Sequence, residues 1–171
     1  MNIFYLDESP TLAARAHCDK HVNKMAFEGA QMLSTACYKL LPGRITQPQE
    51  HLLYAPTHVN HKCNKWVRKS YANFRWLSAL VDALDNEHFK RYGTFTDHGV
   101  VNSVALELMR VNAPTWYLNA AETPPAQAMP LSLHLPTDPI KAYRLYYKQH
   151  KAGIAKWERG VNPPEWWEGK S

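Results

Sequence analysis

The segment His17-Cys18-Asp19-Lys20-His21-Val22-Asn23-Lys24-Met25-Ala26-Phe27-Glu28-Gly29-Ala30-Gln31 is the part of the chain richest in groups that could do chemistry. At about 100° per residue, a helix would hold His17, Lys20, His21, Lys24, Glu28 and Gln31 in one stripe roughly 100° wide. Val22, Ala26, Leu33 and Leu40 would lie opposite. Asp19 points away from the stripe and can pair with Arg15 one turn earlier. An ordinary exposed face alternates Glu with Lys, whereas this one gathers two imidazoles, two amines, a carboxylate and an amide. Imidazole titrates near neutrality, and a cationic neighbour makes an amine a better nucleophile or base. Glu28, one turn from Lys24, can hold that lysine or act as general acid or base. His17, Lys20, His21, Lys24 and Glu28 are therefore the catalytic candidates, and a solvated polar face is the plain alternative.

A second cluster, Thr57-His58-Val59-Asn60-His61-Lys62-Cys63-Asn64-Lys65-Trp66, sets two histidines and a thiol ahead of a basic stretch. His17, His21, His58 and His61 together would suit zinc. Their spacing follows no zinc signature and basic neighbours oppose a dication, so no metal is expected. His58 and His61 are read instead as phosphate contacts or helix caps.

Charge by segment points to the partner. Residues 1–60 are neutral, 61–92 carry +4, 93–136 carry −2 and 137–171 carry +3. Lys62, Lys65, Arg68, Lys69 and Arg75 follow one another with no acid between them, and Lys141, Arg144, Lys148 and Lys151 recur at helical spacing. Clustered cations gain affinity for a polyanion by releasing its counterions; solvated helix surfaces are the alternative. Trp66, Trp76, Tyr143, Tyr146 and Trp157 fall at core-like spacing. Trp116-Tyr117 and Trp166-Trp167 sit in Pro-rich connections, where rings can stack on bases or pack across a bundle. The DNA-binding candidates are His58, His61, Lys62, Lys65, Arg68, Lys69, Lys141, Arg144, Lys148, Lys151 and Trp166.

Four helical stretches must position these groups: about Pro10 to Leu41, about Asn64 to Tyr92, about 98–112 and about 138–159. Ser9 and Pro10 open the first, and Gly93 closes the second. Gly29 either costs the first helix about 1 kcal/mol or permits close packing. Ile3-Phe4-Tyr5-Leu6 is a short strand or an extended arm. Pro-rich connections cover 42–57, 114–136 and 161–167. The reading is a mainly α, compact single-domain helical bundle over 1–171, with 94–136 a variable region or insertion. The chain has 171 residues, 45% hydrophobic and 20% charged, which is globular composition. No apolar run approaches the ~20 residues of a membrane span. The opening lacks a signal peptide's basic region and apolar stretch. Three cysteines without CxxC spacing read as reduced thiols. The expectation is a cytoplasmic protein with no cofactor and no membrane partner.

The order of these features resembles the pyrimidine-dimer DNA glycosylases of tailed phages, small basic helical enzymes that flip a nucleotide, cut its glycosidic bond and nick the strand by β-elimination. Three blocks carry the resemblance. They are Ile3 to Lys24, Thr57-His58-Val59 leading to Lys90-Arg91-Tyr92-Gly93, and the terminal basic helix with Pro164-Glu165-Trp166-Trp167-Glu168-Gly169-Lys170. They span about half the chain, and 94–136 has no counterpart. The family's nucleophile is the α-amine freed by loss of the initiator methionine, but Asn2 is bulky enough to retain Met1. Its first-helix Arg-Glu pair falls nearest His21 to Lys24, where there is no acid, and Glu28 comes one turn later. The resemblance thus implies a glycosylase-like fold and double-stranded DNA with a flipped base as partner. The His-Cys-Asp-Lys-His segment also resembles a functionally unassigned group of phage proteins, which suggests a phage origin.

The resulting expectation is a phage DNA-acting enzyme, most concretely a pyrimidine-directed glycosylase/lyase or a base-modifying relative. Lys20 or Lys24 would supply the amine and Glu28 would move the proton. His17, His21, His58 and His61 would polarise phosphate or base. A metal-assisted nucleotide or phosphodiester hydrolase, and a non-enzymatic binding protein that counters host defence, are the other readings.

Overall fold

The computed structural model describes residues 1–167, so Glu168-Gly169-Lys170 of the third resemblance block lie outside the described residues. Its helices are α1 (Pro10–Ala16), α2 (Asp19–Leu40), α3 (Gln47–Glu50), α4 (Lys62–Val67), α5 (Tyr71–Tyr92), α6 (His98–Asn112), α7 (Thr115–Leu118) and α8 (Pro139–His150), with a 3-10 turn at Leu131–Leu133. No strand occurs among the described residues, and none of their helices is long and apolar enough to cross a membrane. The long helices α2, α5 and α6 pack on one another, and α1 lies on α5. Residues 98–112 are thus part of the packed core, with Val101, Ala105, Leu108 and Met109 buried.

Gly29 serves close packing, since a Cβ there would lie 2.5 Å from Val81 Cγ2 on α5. Ile3 to Leu6 form an irregular arm rather than a strand, turned at Phe4 where the Leu6 amide donates to Phe4 O (2.7 Å), with all four residues buried. Asn2 anchors the arm. Its Oδ1 accepts the Ile3 and Phe4 amides (2.8 and 3.0 Å), and its Nδ2 donates to Ala128 O (2.8 Å).

Two expected long helices are each two helices. The stretch 10–41 breaks at His17 and Cys18, which are extended (ψ 137° and 161°). The carbonyls left over at the end of α1 are taken by Arg91 of α5, which donates to His17 O (2.8 Å) and Arg15 O (3.2 Å). Asp19 pairs with Arg91 (3.2 Å), not with Arg15. The stretch 64–92 breaks after Arg68. Ser70 caps α5 by accepting the Asn73 amide (3.1 Å), and Asn73 Nδ2 donates back to Trp66 O (2.9 Å) at the end of α4. The fourth stretch stops at His150 instead of reaching 159; Lys151 is its cap, and Trp157 lies in the turns beyond.

Cys18, Cys37 and Cys63 are free and buried. Burial pushes Cys37 and Cys63 up to about 12, so both stay protonated thiols at neutral pH.

Candidate active site

The start of α2, the end of α8 and the N-terminal arm meet around a cavity of about 160 Å³, lined by Asn2, Phe4, His21, Lys24, Glu28, Tyr146 and Lys151 among others. Sites that enclose a whole ligand run to roughly 300–1,000 Å³. This one has room for one group of a larger molecule.

Among the described residues Glu28 is the only carboxylate in its lining. Its Oε2 accepts the Asn2 amide (2.8 Å) and lies 3.6 Å from the Met1 ammonium, while Oε1 lies 3.9 Å from Lys24 Nζ. Its side chain is 14% exposed, whereas that of Lys24 is 58% exposed. A half-covered carboxylate paired with an exposed lysine can take a proton from that lysine or from a group bound next to it. Lys20 is exposed and outside the lining, so of the two candidate amines Lys24 is the one beside the carboxylate.

Across the cavity Phe4 and Tyr146 are parallel within 9°, their centroids 5.8 Å apart. Lys151 Nζ sits 5.0 Å from the Tyr146 centroid and 5.9 Å from that of Phe4, a cation held over ring faces.

The helix break changes the role of both early histidines. His17 and His21 do not share an exposed stripe with the lysines; both are buried. His17 Nδ1 donates to Ala13 O (2.7 Å), and its Nε2 is buried without a partner. Burial lowers His17 to about 4, with Arg91 adding to the effect and the Ala13 bond opposing it. His21 is lowered to about 3, first by burial and then by His17, Lys151, Lys24 and Lys20. Both rings are neutral at physiological pH. Neither is a general acid poised to titrate there.

The histidine loop approaches the same carboxylate from the other side. His61 caps α4, its Nδ1 accepting the Cys63 amide (3.2 Å). It is lowered by burial, with the Met1 ammonium and His58 adding to this and Glu28 opposing it. His58 is exposed, bonded to Thr57 Oγ1 at 2.8 Å. His58 (φ 46°) and Phe4 (φ 35°) are the two non-glycine residues with positive φ among the described residues. Left-handed backbone at bulky residues costs energy that surrounding structure must impose, and such strain collects at functional sites. Of the two, Phe4 lines the Glu28 cavity and His58 does not.

The four histidines do not form a common cluster. Among the described residues no three His, Cys, Asp or Glu side chains are grouped as metal ligands would be.

The basic faces divide by residue type. Lys62, Lys65, Lys69 and Lys141 are exposed, and Lys148 is half-buried. Lys62 reaches Gln127 O (3.2 Å). The two arginines are engaged in the fold: Arg68 clamps the histidine loop through Val59 O (2.7 Å) and Asn64 (3.2 Å), and Arg144 holds Leu6 O (2.9 Å) and Asp7 (3.2 Å). Arg144 also lies over the Trp166 ring (5.4 Å). Trp166, Arg144, Lys141 and Lys148 line a second cavity of about 360 Å³ along α8. Trp116 is exposed, but its neighbour Tyr117 is fully buried and donates to Val67 O (2.7 Å).

Sequence reasoning identified Lys24 and Glu28 but missed Phe4, Tyr146 and Tyr147. Phe4 reads as part of the N-terminal arm and Tyr146 as a packing residue, and only their meeting with α2 gives them a place at the cavity.

Compared with known protein families, curated proteins and solved structures, the chain matches none.

Proposed function

We propose that the protein acts on DNA as a glycosylase/lyase, or a base-modifying relative, with Lys24 and Glu28 as its reacting pair. The observation that carries this reading is the amine beside a half-covered carboxylate at a cavity sized for one group of a larger molecule. Exposed lysines on α4 and α8 supply cations for the phosphate backbone outside it. The order of sequence blocks shared with the phage glycosylases supports the same reaction class.

Lys24 Nζ, having given its proton to Glu28, adds to the sugar C1′ of a nucleotide drawn out of the stack. The C1′–base bond breaks and its electron pair leaves with the base. The C1′–O4′ bond then opens, O4′ taking a proton that the attached nitrogen gives up, and the iminium left at C1′ acidifies C2′. Glu28, its own proton lost to solvent, removes the C2′ proton, and the 3′ phosphate departs by β-elimination. Lys20 contributes to the cationic field, and Lys62, Lys65, Lys69, Lys141 and Lys148 hold the backbone.

Borohydride trapping on duplex DNA carrying an abasic site tests the proposal. The wild type is expected to form a covalent adduct that Lys24→Ala loses. Glu28→Gln is expected to form the adduct more slowly, because Lys24 loses its proton acceptor, and to cleave the strand about 10²–10⁴-fold more slowly. Absence of any wild-type adduct rejects a lyase. DNA binding that survives both substitutions, with no adduct, would favour a non-enzymatic binding protein.

A further inference from the structure

We infer that Tyr147 locks His21 as a neutral Nε2–H hydrogen-bond donor aimed into the Glu28 cavity, where it stabilises the oxygen of a departing pyrimidine base. The role on the base rests on the glycosylase reading above; the tautomer does not.

The Tyr147 hydroxyl lies 3.0 Å from the Cys18 amide nitrogen and 2.8 Å from His21 Nδ1. An amide nitrogen only donates, so the hydroxyl oxygen accepts from Cys18 and keeps its own hydrogen to place. His21 Nδ1 is the acceptor at hand, and a ring that accepts at Nδ1 carries its proton on Nε2. Tyr147 is fully buried, and its phenol is pushed up well beyond its ordinary value, so it remains a donor at every working pH.

The ring is also fixed in orientation. Phe4 lies over it with centroids 4.9 Å apart, and Tyr147 meets it edge-on at 5.3 Å. His21 lines the cavity, and its Nε2 makes no hydrogen bond to the described residues. The groups facing the ring are His17, Lys20, Lys24, Lys151 and Tyr147, with Glu28 in the same lining.

A donor of this kind suits one step. When the C1′–N1 bond breaks, the electron pair passes to the base, and negative charge spreads to the carbonyl oxygen beside N1. His21 donates a hydrogen bond to that oxygen without transferring its proton, and the base takes its proton from water. A neutral donor already oriented before charge develops requires no reorganisation at that moment. His21 is then a catalytic group and Tyr147 a positioning residue.

Two measurements test this. Nitrogen-15 NMR of the imidazoles in the free protein should show His21 as one neutral Nε2–H tautomer from pH 5 to 8. In Tyr147→Phe the same ring should become a mixture of tautomers. An Nδ1–H wild-type ring, or a His21 that titrates near neutrality, overturns the inference. In the second, duplexes carrying a cyclobutane thymine dimer, a thymine glycol or a uracil report base excision, and abasic DNA reports trapping. His21→Phe should lower excision about 10²–10³-fold, at least tenfold more than it lowers trapping, and His21→Gln, which keeps a neutral N–H, should recover part of the loss. Equal losses in the two assays would assign the ring a structural role only. If wild-type trapping fails, the glycosylase reading falls and takes the role on the base with it, while the NMR result still decides the tautomer.

Discussion

At the α1–α2 junction a buried charged side chain satisfies the open carbonyls, whereas at the α4–α5 junction a buried neutral one does. Arg91, its side chain inaccessible, donates to Arg15 O and His17 O and pairs with Glu87 (2.8 Å) and Asp19 (3.2 Å). Asn73, also inaccessible, donates to Trp66 O and to Thr123 Oγ1 (2.8 Å) and accepts the Thr123 amide (3.0 Å). Both solve the same problem of carbonyls left unpaired where a helix stops. The first solution sets a cation and two carboxylates by the buried His17, just ahead of the His21 that lines the Glu28 cavity. The second is electrically neutral and redirects the chain without entering that site. A junction built of charge and histidine responds to pH; one built of an amide and a hydroxyl only holds an angle.

Removing the charge should produce the largest effect. Arg91→Ala leaves Glu87 and Asp19 without their buried partner and uncaps α1, with an expected loss of about 3–5 kcal/mol of stability. Urea denaturation measures it. A loss near that of an average surface substitution would mean that the guanidinium is not what holds the junction.

The pH response separates the junctions next. His17 and His21 are held at about 4 and about 3 in the folded protein, against 6.5 when unfolded. Between those values the unfolded chain binds the protons and the folded one does not, so stability must fall as pH drops below 6.5. Each ring contributes up to about 1.4 kcal/mol per pH unit, or about 2–3 kcal/mol per unit together. Denaturation curves from pH 7 to 5 should show this slope, and His17→Phe should roughly halve it. A flat profile would contradict neutral, buried rings.

These junctions also mark the limit of what could be read from the sequence. Ser9-Pro10 and Gly93 are local signals, and the helix ends they announce are where they were expected. The span of α6, 98–112, follows from its apolar period and from Pro114. Neither junction has a glycine or proline, so the periodicity runs through both, and only Arg91, distant in sequence from His17, makes the first one favourable. The candidate site divides in the same way. Lys24 and Glu28 are legible because i,i+4 spacing is enough to pair them. Burial of His17 and His21 is not, because His17 lies in the break before α2 and His21 is covered by Phe4 and Tyr147, which are distant in sequence. Phe4 and Tyr146 come to the cavity, and Tyr147 to His21 behind it, through docking of the arm and α8, which leaves no local pattern.

The smallest effect tests the neutral junction. Ser70→Ala removes the hydroxyl that accepts the Asn73 amide at the start of α5 and should cost about 1 kcal/mol. Asn73 keeps its bond to Trp66 O, so the angle between α4 and α5 should survive, and with it the orientation of Lys62 and Lys65. Calorimetry should show a small drop in melting temperature with no change in the pH slope set by the two histidines. If Ser70→Ala altered that slope, the two junctions would be coupled through α5, which runs from Ser70 at one to Arg91 at the other, and the separation of a holding junction from a pH-responsive one would fail.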